Sequence, residues 1–364
     1  MEITAAVVRE PGGTFKVEQL ELDSPRHDEV LVRIVGVGLC HTDLICRDQL
    51  YPVPLPAVLG HEGAGVVEAV GTGVTDLEPG DHVVLSFNAC GECSNCSQGR
   101  PSRCSLLFES NFAGARADGS CAHSCGDQAI HGHFFAQSSF ASHALAHRRN
   151  TVKVDADVPL ELLGPLGCGV QTGAGAVMNT LAPAAGSSIA VFGCGSVGLS
   201  AVMAASLVGC ATIIAVEPHA TRRALALELG ATHTIDPEDG DVVEAIHALT
   251  PEGTDYSLEC TANPRVLRQA VDALTVTGTC ALIGAAPMGT EVTLDMNSIM
   301  FGRTVTGVIE GDSIPGQFIP KLVALHKQGR FPLDKLVTFY PLTAIQQAVE
   351  DSEAGRVVKA VLQP

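Results

Sequence analysis

The chain has no tryptophan, only three tyrosines and 4% aromatic residues, so aromatic side chains gathered at one place would stand out against the rest of its 364 residues. Basic residues are also scarce. Lys+Arg 22 against Asp+Glu 40 gives a formal net charge of −18, which repels a phosphate backbone and an anionic membrane surface and argues against nucleic acid and lipid as partners. No stretch approaches the roughly 18 uninterrupted apolar residues of a membrane-spanning helix. The opening MEITAAVVREPGG lacks a basic segment followed by a long apolar run, and a cytoplasmic protein is the expectation. What remains is 46% hydrophobic and rich in glycine (38) and cysteine (13), enough for roughly two ordinary globular domains.

An odd number of cysteines without an export signal reads as thiolate ligands and small core residues rather than a disulfide framework. Cys90, Cys93, Cys96 and Cys104 form a CxxCxxC run with a fourth member after seven more residues, dense enough to enclose one tetrahedral Zn²⁺. An iron–sulfur cluster competes for such a lobe, but the seven-residue gap departs from the bacterial ferredoxin spacing. Cys40, His61 and Cys168 lie far apart; gathered by a fold, two thiolates and one imidazole leave a fourth position open, as in a catalytic zinc. Cys46, Cys194, Cys210, Cys260 and Cys280 have apolar or small neighbours and read as buried inert thiols. Cys121 and Cys125 flank His123 in a polar segment, where a metal or a disulfide would have only three ligands in view.

Texture changes near residues 160 and 310. Before the first lie short alternating segments such as Glu29–Val37, Gly65–Val70 and His82–Ser86, which read as antiparallel strands. From Ser188, β-branched runs alternate with helical stretches, the pattern of a parallel sheet covered on both faces. The final segment should contribute two helices and a closing strand to the first domain. Gly193, Gly195 and Gly198 form a GxGxxG directly between the strand SIAVF and a helix, where a pyrophosphate can meet the helix N-terminus. Glu217 ends the next strand, where a carboxylate binds ribose hydroxyls and repels a 2′-phosphate, favouring NAD over NADP; Arg222 and Arg223 close by could accommodate that phosphate instead. A nicotinamide site beside an open zinc position implies hydride removal from a metal-bound alkoxide. Thr42, two residues after Cys40, is placed to carry the alcohol proton away, although a turn or cap role would suit it too.

These residues point to a family. Cys40–Asp43 (CHTD), Gly60–Gly65 (GHEGAG), Pro79–Val83 (PGDHV), the cysteine lobe, Leu166–Gly173 (LGCGVQTG) and Gly193–Gly198 (GCGSVG) resemble, in order and spacing, the zinc-dependent alcohol dehydrogenases of the medium-chain dehydrogenase/reductase superfamily. Residues 51–68 and 131–145 are most similar to bacterial aryl-alcohol dehydrogenases. The resemblance implies an α/β chain with a GroES-like, mainly antiparallel catalytic domain over 1–169 and 310–364 and a Rossmann doubly wound domain over 170–309. It implies a catalytic zinc on Cys40, His61 and Cys168 with Glu62 near it and Asp43 behind His61, and a structural zinc on the four-cysteine lobe. Thr172 and Val197 should contact the nicotinamide of NAD, Ile283 should also bind the cofactor, Arg222 should lie near the adenosine ribose, and Lys359 should stand in for a pyrophosphate-binding arginine with only a point charge.

Ile45 stands where many members complete the proton relay with a histidine, so His41, at a site that is often an arginine contacting the pyrophosphate, is a candidate both for the distal base after Thr42 and for a simple donor to the cofactor phosphate. By resemblance the pocket comprises Tyr51, Ser86, Phe134, Phe135 and Ala285, with Glu109 and Phe112 on the adjoining loop, a setting for benzyl-type or allylic primary alcohols going to aldehydes. Glutathione-dependent formaldehyde oxidation, or terpenoid or aliphatic alcohols, are the alternatives. A quinone reductase would lack the zinc ligands, and a non-enzymatic dinucleotide sensor would not need Thr42. A homodimer or homotetramer joined along the sheet edge near Thr304–Ile309 is expected, because that edge otherwise leaves backbone groups unpaired.

Overall fold

The computed structural model describes residues 1–364. The chain divides into two compact units, one of residues 1–169 and 314–364, the other of residues 170–313.

In the first unit the alternating segments become strands Glu29–Gly38, Gly63–Val70 and His82–Leu85, paired antiparallel. They form the middle of a seven-stranded sheet that runs from Thr151–Lys153 to Lys359–Gln363 and Val337–Pro341. The C-terminal strand Lys359–Gln363 pairs antiparallel with Glu29–Gly38, so the end of the chain returns to its beginning. A second sheet joins Glu2–Val8 and Lys16–Leu22 to three short strands. The inward faces bury Val30, Val32, Val67, Phe134, Phe140 and Leu362 in one core, which gives both sheets their stability through apolar area removed from water.

The second unit carries six parallel strands in the order His233–Ile235, Thr212–Val216, Ser188–Phe192, Thr254–Glu259, Leu274–Leu282 and Thr304–Gly307. The order reverses between Ser188–Phe192 and Thr254–Glu259, which opens a crevice at the carboxyl ends of those two strands. The boundary at 310 moves to 313. Residues 310–313 are tied to the second unit by hydrogen bonds from Gln171 to Glu310 (3.1 Å), Ser313 to Gln171 (2.9 Å), Asn179 to the Gly311 carbonyl (3.0 Å) and Thr180 to Asp312 (2.9 Å). Polar side chains at loop positions, silent in a hydropathy pattern, decide this boundary.

Cys121 and Cys125 are free thiols, and they do not form a ligand cluster with His123. His123 is instead buried with neither ring nitrogen hydrogen-bonded, and burial, with His133 and Arg116 nearby, pulls its pKa down to about 3. Beside it, Arg116 forms two bonds with Glu29 (2.7 and 3.1 Å) and one with Asp23 (2.7 Å). Burial opposes the Glu29 charge, but His133 and Arg116 hold that carboxyl well below its usual range. Both groups are depressed in the folded state, so their stabilisation is full above the unfolded values and lost as pH falls. Between about pH 6.5 and 3, His123 alone should remove about 1.4 kcal/mol per pH unit. The variant His123→Leu should flatten urea-denaturation stability over that window; a slope identical to wild type would contradict the assignment.

Candidate active site

The ligand atoms of Cys40, His61, Glu62 and Cys168 lie within 4.8 Å of one another. Three separate segments of the first unit deliver them. Cys40 precedes the helix His41–Arg47; His61 and Glu62 precede strand Gly63–Val70; Cys168 ends the turn Gly164–Gly167. Asp43, in the first turn of its helix, sends one carboxylate oxygen back to the Cys40 amide (2.9 Å) and the other to the His61 Nδ1 (2.8 Å) and the Gly60 amide (3.1 Å). The His61 ring is thereby held with its Nε2 buried and without a protein partner. A buried imidazole nitrogen without a bond is costly, and one beside two thiols fits a metal ion.

Electrostatics agree with that fit. The Cys168 bond, with His61 and Lys359, holds the Cys40 thiol well below its ordinary range against the cost of burial. Burial disfavours a charge on His61, yet Asp43 and Cys40 push its pKa well up. These surroundings favour positive charge at the ring, which a Zn²⁺ bound there would supply.

Lys359 is placed differently from expectation. It is 3% exposed, and its ammonium donates to both Glu62 oxygens (3.0 and 2.9 Å) and to the Leu39 carbonyl (3.1 Å). All three of its hydrogens are thus committed within the first unit. Burial works against the ammonium, but Glu62 and then Cys40 raise its pKa. Glu62 also accepts from the Gly169 amide (3.0 Å), which fixes the carboxylate next to Cys168. Backbone closes around it: a Cβ on Gly38 would lie 1.9 Å from Glu62 Oε2, and one on Gly164 2.3 Å from the Glu62 carbonyl.

Rings surround the His61 side chain. Phe135 stacks on it at 4.4 Å and Phe134 meets it edge-on at 5.4 Å. Phe112 contacts both at 5.2 and 5.8 Å, and Tyr51 and Phe108 extend the group outward at 6.0 and 4.6 Å from Phe112. Five of the chain's fifteen Phe and Tyr residues therefore converge here. The turn presenting Phe134 and Phe135 places His133, Phe135, Ala136 and Ser138 at positive φ (50–57°), a conformation costing on the order of 1 kcal/mol per residue that the aromatic packing sustains. Gln137 anchors that turn, donating to the His61 and Ser86 carbonyls (2.9 and 3.1 Å). Ser86 is fully buried and its hydroxyl donates to the Gly167 carbonyl (2.7 Å), so its part is to brace the Cys168 turn with a small side chain. Thr42 is half-buried, and His41 and Glu109 are exposed. Ala285 belongs to the second unit. Phe108 and Gln137 carried no sequence signal beyond their residue types.

The Cys90, Cys93, Cys96 and Cys104 sulfurs also lie within 4.8 Å of one another. Backbone amides of Cys90, Glu92, Cys93 and Leu106 point at these sulfurs (3.3–3.4 Å), as in a site that stabilises thiolates. Amides of Cys96 and Ser105 bring the Cys93 thiol down to about 5.

In the second unit, Gly193 has φ +90°, and a Cβ on Gly198 would lie 1.9 Å from the Gly193 carbonyl, so helix and turn pack as only glycine allows. A Cβ on Gly195 would meet nothing within 4 Å, the open cradle a pyrophosphate needs. Glu217, 3% exposed, accepts from the Cys194 amide (2.7 Å) and the His219 amide (3.0 Å). Arg223 is committed to Asp236 (2.8 Å) and to the Glu217 and Pro218 carbonyls, while Arg222 and Val197 are half-buried beside this turn. Thr172 is nearly buried, and Ile283 bonds the Glu259 carbonyl through its amide (2.9 Å).

An antiparallel unit with an open two-cysteine, one-histidine metal set and a four-cysteine lobe, together with a parallel unit carrying a glycine-rich turn, defines a zinc-dependent, dinucleotide-using oxidoreductase. Residues 26–156 match the alcohol dehydrogenase GroES-like domain and residues 196–327 the zinc-binding dehydrogenase domain. The chain is 48% identical over 361 residues to geraniol dehydrogenase of Castellaniella defragrans, covering 98% of this chain and 96% of that one. Among solved structures it is similar to an alcohol dehydrogenase zinc-binding domain protein from Burkholderia ambifaria (57% identity, TM-score 0.98, 100% and 99% coverage). It is also similar to benzyl alcohol dehydrogenase from Acinetobacter calcoaceticus (49% identity, TM-score 0.97, 100% and 99% coverage). The chain belongs to the zinc-dependent alcohol dehydrogenases of the medium-chain dehydrogenase/reductase superfamily.

Asp43 bonds the His61 ring and would tune a metal there without touching it. The variant Asp43→Asn should lose 10- to 100-fold in zinc affinity at the site of Cys40, His61 and Cys168. Dialysis against graded chelator with metal analysis should then remove one ion ahead of the other. Loss of both ions together would contradict this.

Proposed function

We propose that this enzyme oxidises primary aromatic or allylic alcohols to aldehydes with NAD⁺, using one catalytic and one structural Zn²⁺ per subunit. The observation that carries the reading is the aromatic group that begins on the metal-ligating ring of His61 and continues through Phe135, Phe134 and Phe112 to Tyr51 and Phe108. Flat unsaturated groups gain from offset and edge contacts with such rings, about 0.5–1.5 kcal/mol per pair beyond area burial. The names of the relatives, a geraniol and a benzyl alcohol dehydrogenase, support an unsaturated primary alcohol.

A Zn²⁺ held by Cys40, His61 and Cys168 would act as a Lewis acid that makes an alcohol oxygen acidic near neutral pH. Asp43 keeps His61 in the tautomer that binds through Nε2. Lys359 holds Glu62 as a fixed counter-charge beside Cys40 and Cys168. Thr42 takes the alcohol proton and passes it on, with His41 as the exposed acceptor beyond it. The open cradle at Gly195 holds the pyrophosphate, and Glu217 accepts ribose hydroxyls and repels a 2′-phosphate; the commitment of Arg223 to Asp236 supports NAD over NADP. In the second unit, strand Thr304–Gly307 ends the sheet, and Met296, Phe301 and Ile309 are 85%, 67% and 49% exposed. An edge with unpaired backbone and apolar neighbours suits pairing with a second copy, giving a homo-oligomer.

Benzyl, cinnamyl and geranyl alcohols should show kcat/KM at least tenfold above ethanol and butanol, without glutathione, and NAD⁺ should be preferred to NADP⁺. Faster turnover of the short saturated alcohols would overturn the substrate class. The variant Ile309→Glu should shift light-scattering mass toward the monomer, and an unchanged mass would remove this edge from the interface.

A further inference from the structure

Glu259, in the second unit, is buried to 0% exposure at the carboxyl end of strand Thr254–Glu259. That strand borders the point where the sheet order reverses. The Glu259 carboxylate accepts from the Thr261 amide (2.6 Å), the Thr261 hydroxyl and the Ala262 amide (3.2 Å). The Thr261 oxygen in turn accepts from the Asn263 amide (3.3 Å), and Asn263 caps the following helix through the Arg265 amide (2.9 Å). Ala262 is held at φ +60°, a conformation an alanine adopts only under such constraint.

The loop fixed in this way touches both walls of the crevice. The Thr261 methyl would lie 2.8 Å from a Cβ on Gly193, the first glycine of the phosphate-binding turn. On the other side, a Cβ on Gly284 would lie 2.2 Å from the Ala262 amide nitrogen and 2.7 Å from Glu259 Oε2. The Glu259 carbonyl also accepts from the amides of Ile283 and Gly284 (2.9 and 3.1 Å). One buried acid therefore spaces the glycine-rich turn from the segment after strand Leu274–Leu282, while Glu217 holds the same turn through the Cys194 amide.

We propose that Glu259 is a positioning residue for the dinucleotide: its carboxylate holds Thr261 and Ala262 as a rigid wedge between Gly193 and Gly284 and so keeps the crevice at the width the cofactor requires. The proposal rests on the dinucleotide reading of the second unit. It needs two acceptor oxygens, because both face N–H or O–H donors. A glutamine keeps the volume, supplies one acceptor and turns an NH₂ toward a donor.

The variant Glu259→Gln should bind NAD⁺ about tenfold more weakly by calorimetry and raise KM for NAD⁺ to match. Its kcat at saturating NAD⁺, KM for alcohol and zinc content should remain those of wild type. Thr261→Val, which loses only the hydroxyl, should reproduce part of this loss, and the double variant Glu259→Gln/Thr261→Val should bind no more weakly than Glu259→Gln alone. Folded Glu259→Gln with wild-type affinity overturns the proposal. If that variant does not fold, wild-type affinity in Thr261→Val overturns it. A wild-type protein that binds neither NAD⁺ nor NADP⁺ would instead overturn the cofactor reading.

Discussion

The contact on which the metal site depends is the bond between Asp43 and His61, 2.8 Å long and wholly buried. It fixes which imidazole nitrogen is free, and by also binding the Cys40 and Gly60 amides it ties together two of the three ligand-bearing segments. Burial makes the arrangement exacting, because a low-dielectric surround penalises any member left without a partner. The whole group is arranged so that an added cation completes it.

A second layer of the same site is built from what glycine permits. Gly38, Gly164 and Gly167 let the backbone close on Glu62 and on the Leu85 carbonyl at distances where any side chain would collide. Lys359 enters from the last strand and meets Glu62 within this enclosure. Removing one member of such a buried pair typically costs about 3–5 kcal/mol, so the C-terminal strand is bound to the active site by charge as well as by its ladder. The aromatic turn at Phe134 and Phe135 adds a face on which His61 is stacked, kept in a strained backbone by Gln137.

The second unit repeats the theme with carboxylates at strand ends. Glu217 and Glu259 both give up exposure to hold loops by backbone amides, one on each side of the glycine-rich turn. Of the two, Glu217 is marked by its spacing to Gly193, whereas no spacing marks Glu259. The resemblance assigns Lys359 to the pyrophosphate, whereas the structure commits it to Glu62, a partner not legible across 297 residues. The domain boundary at 310 was misplaced by a few residues for the same reason: Gln171 and Asn179 act on it from far along the chain.

Local chemistry was in the sequence. The cysteine spacing of residues 90–104, the glycine turn at 193–198, the alternation of strands and the change to strand–helix repeats depend on neighbours within a few turns, and periodicity reports those directly. The tertiary structure decided which distant groups share a buried volume. Desolvation makes a pair such as Lys359 and Glu62 or a ring face such as Phe135 on His61 consequential, and burial is a property of the packed chain that no short segment carries.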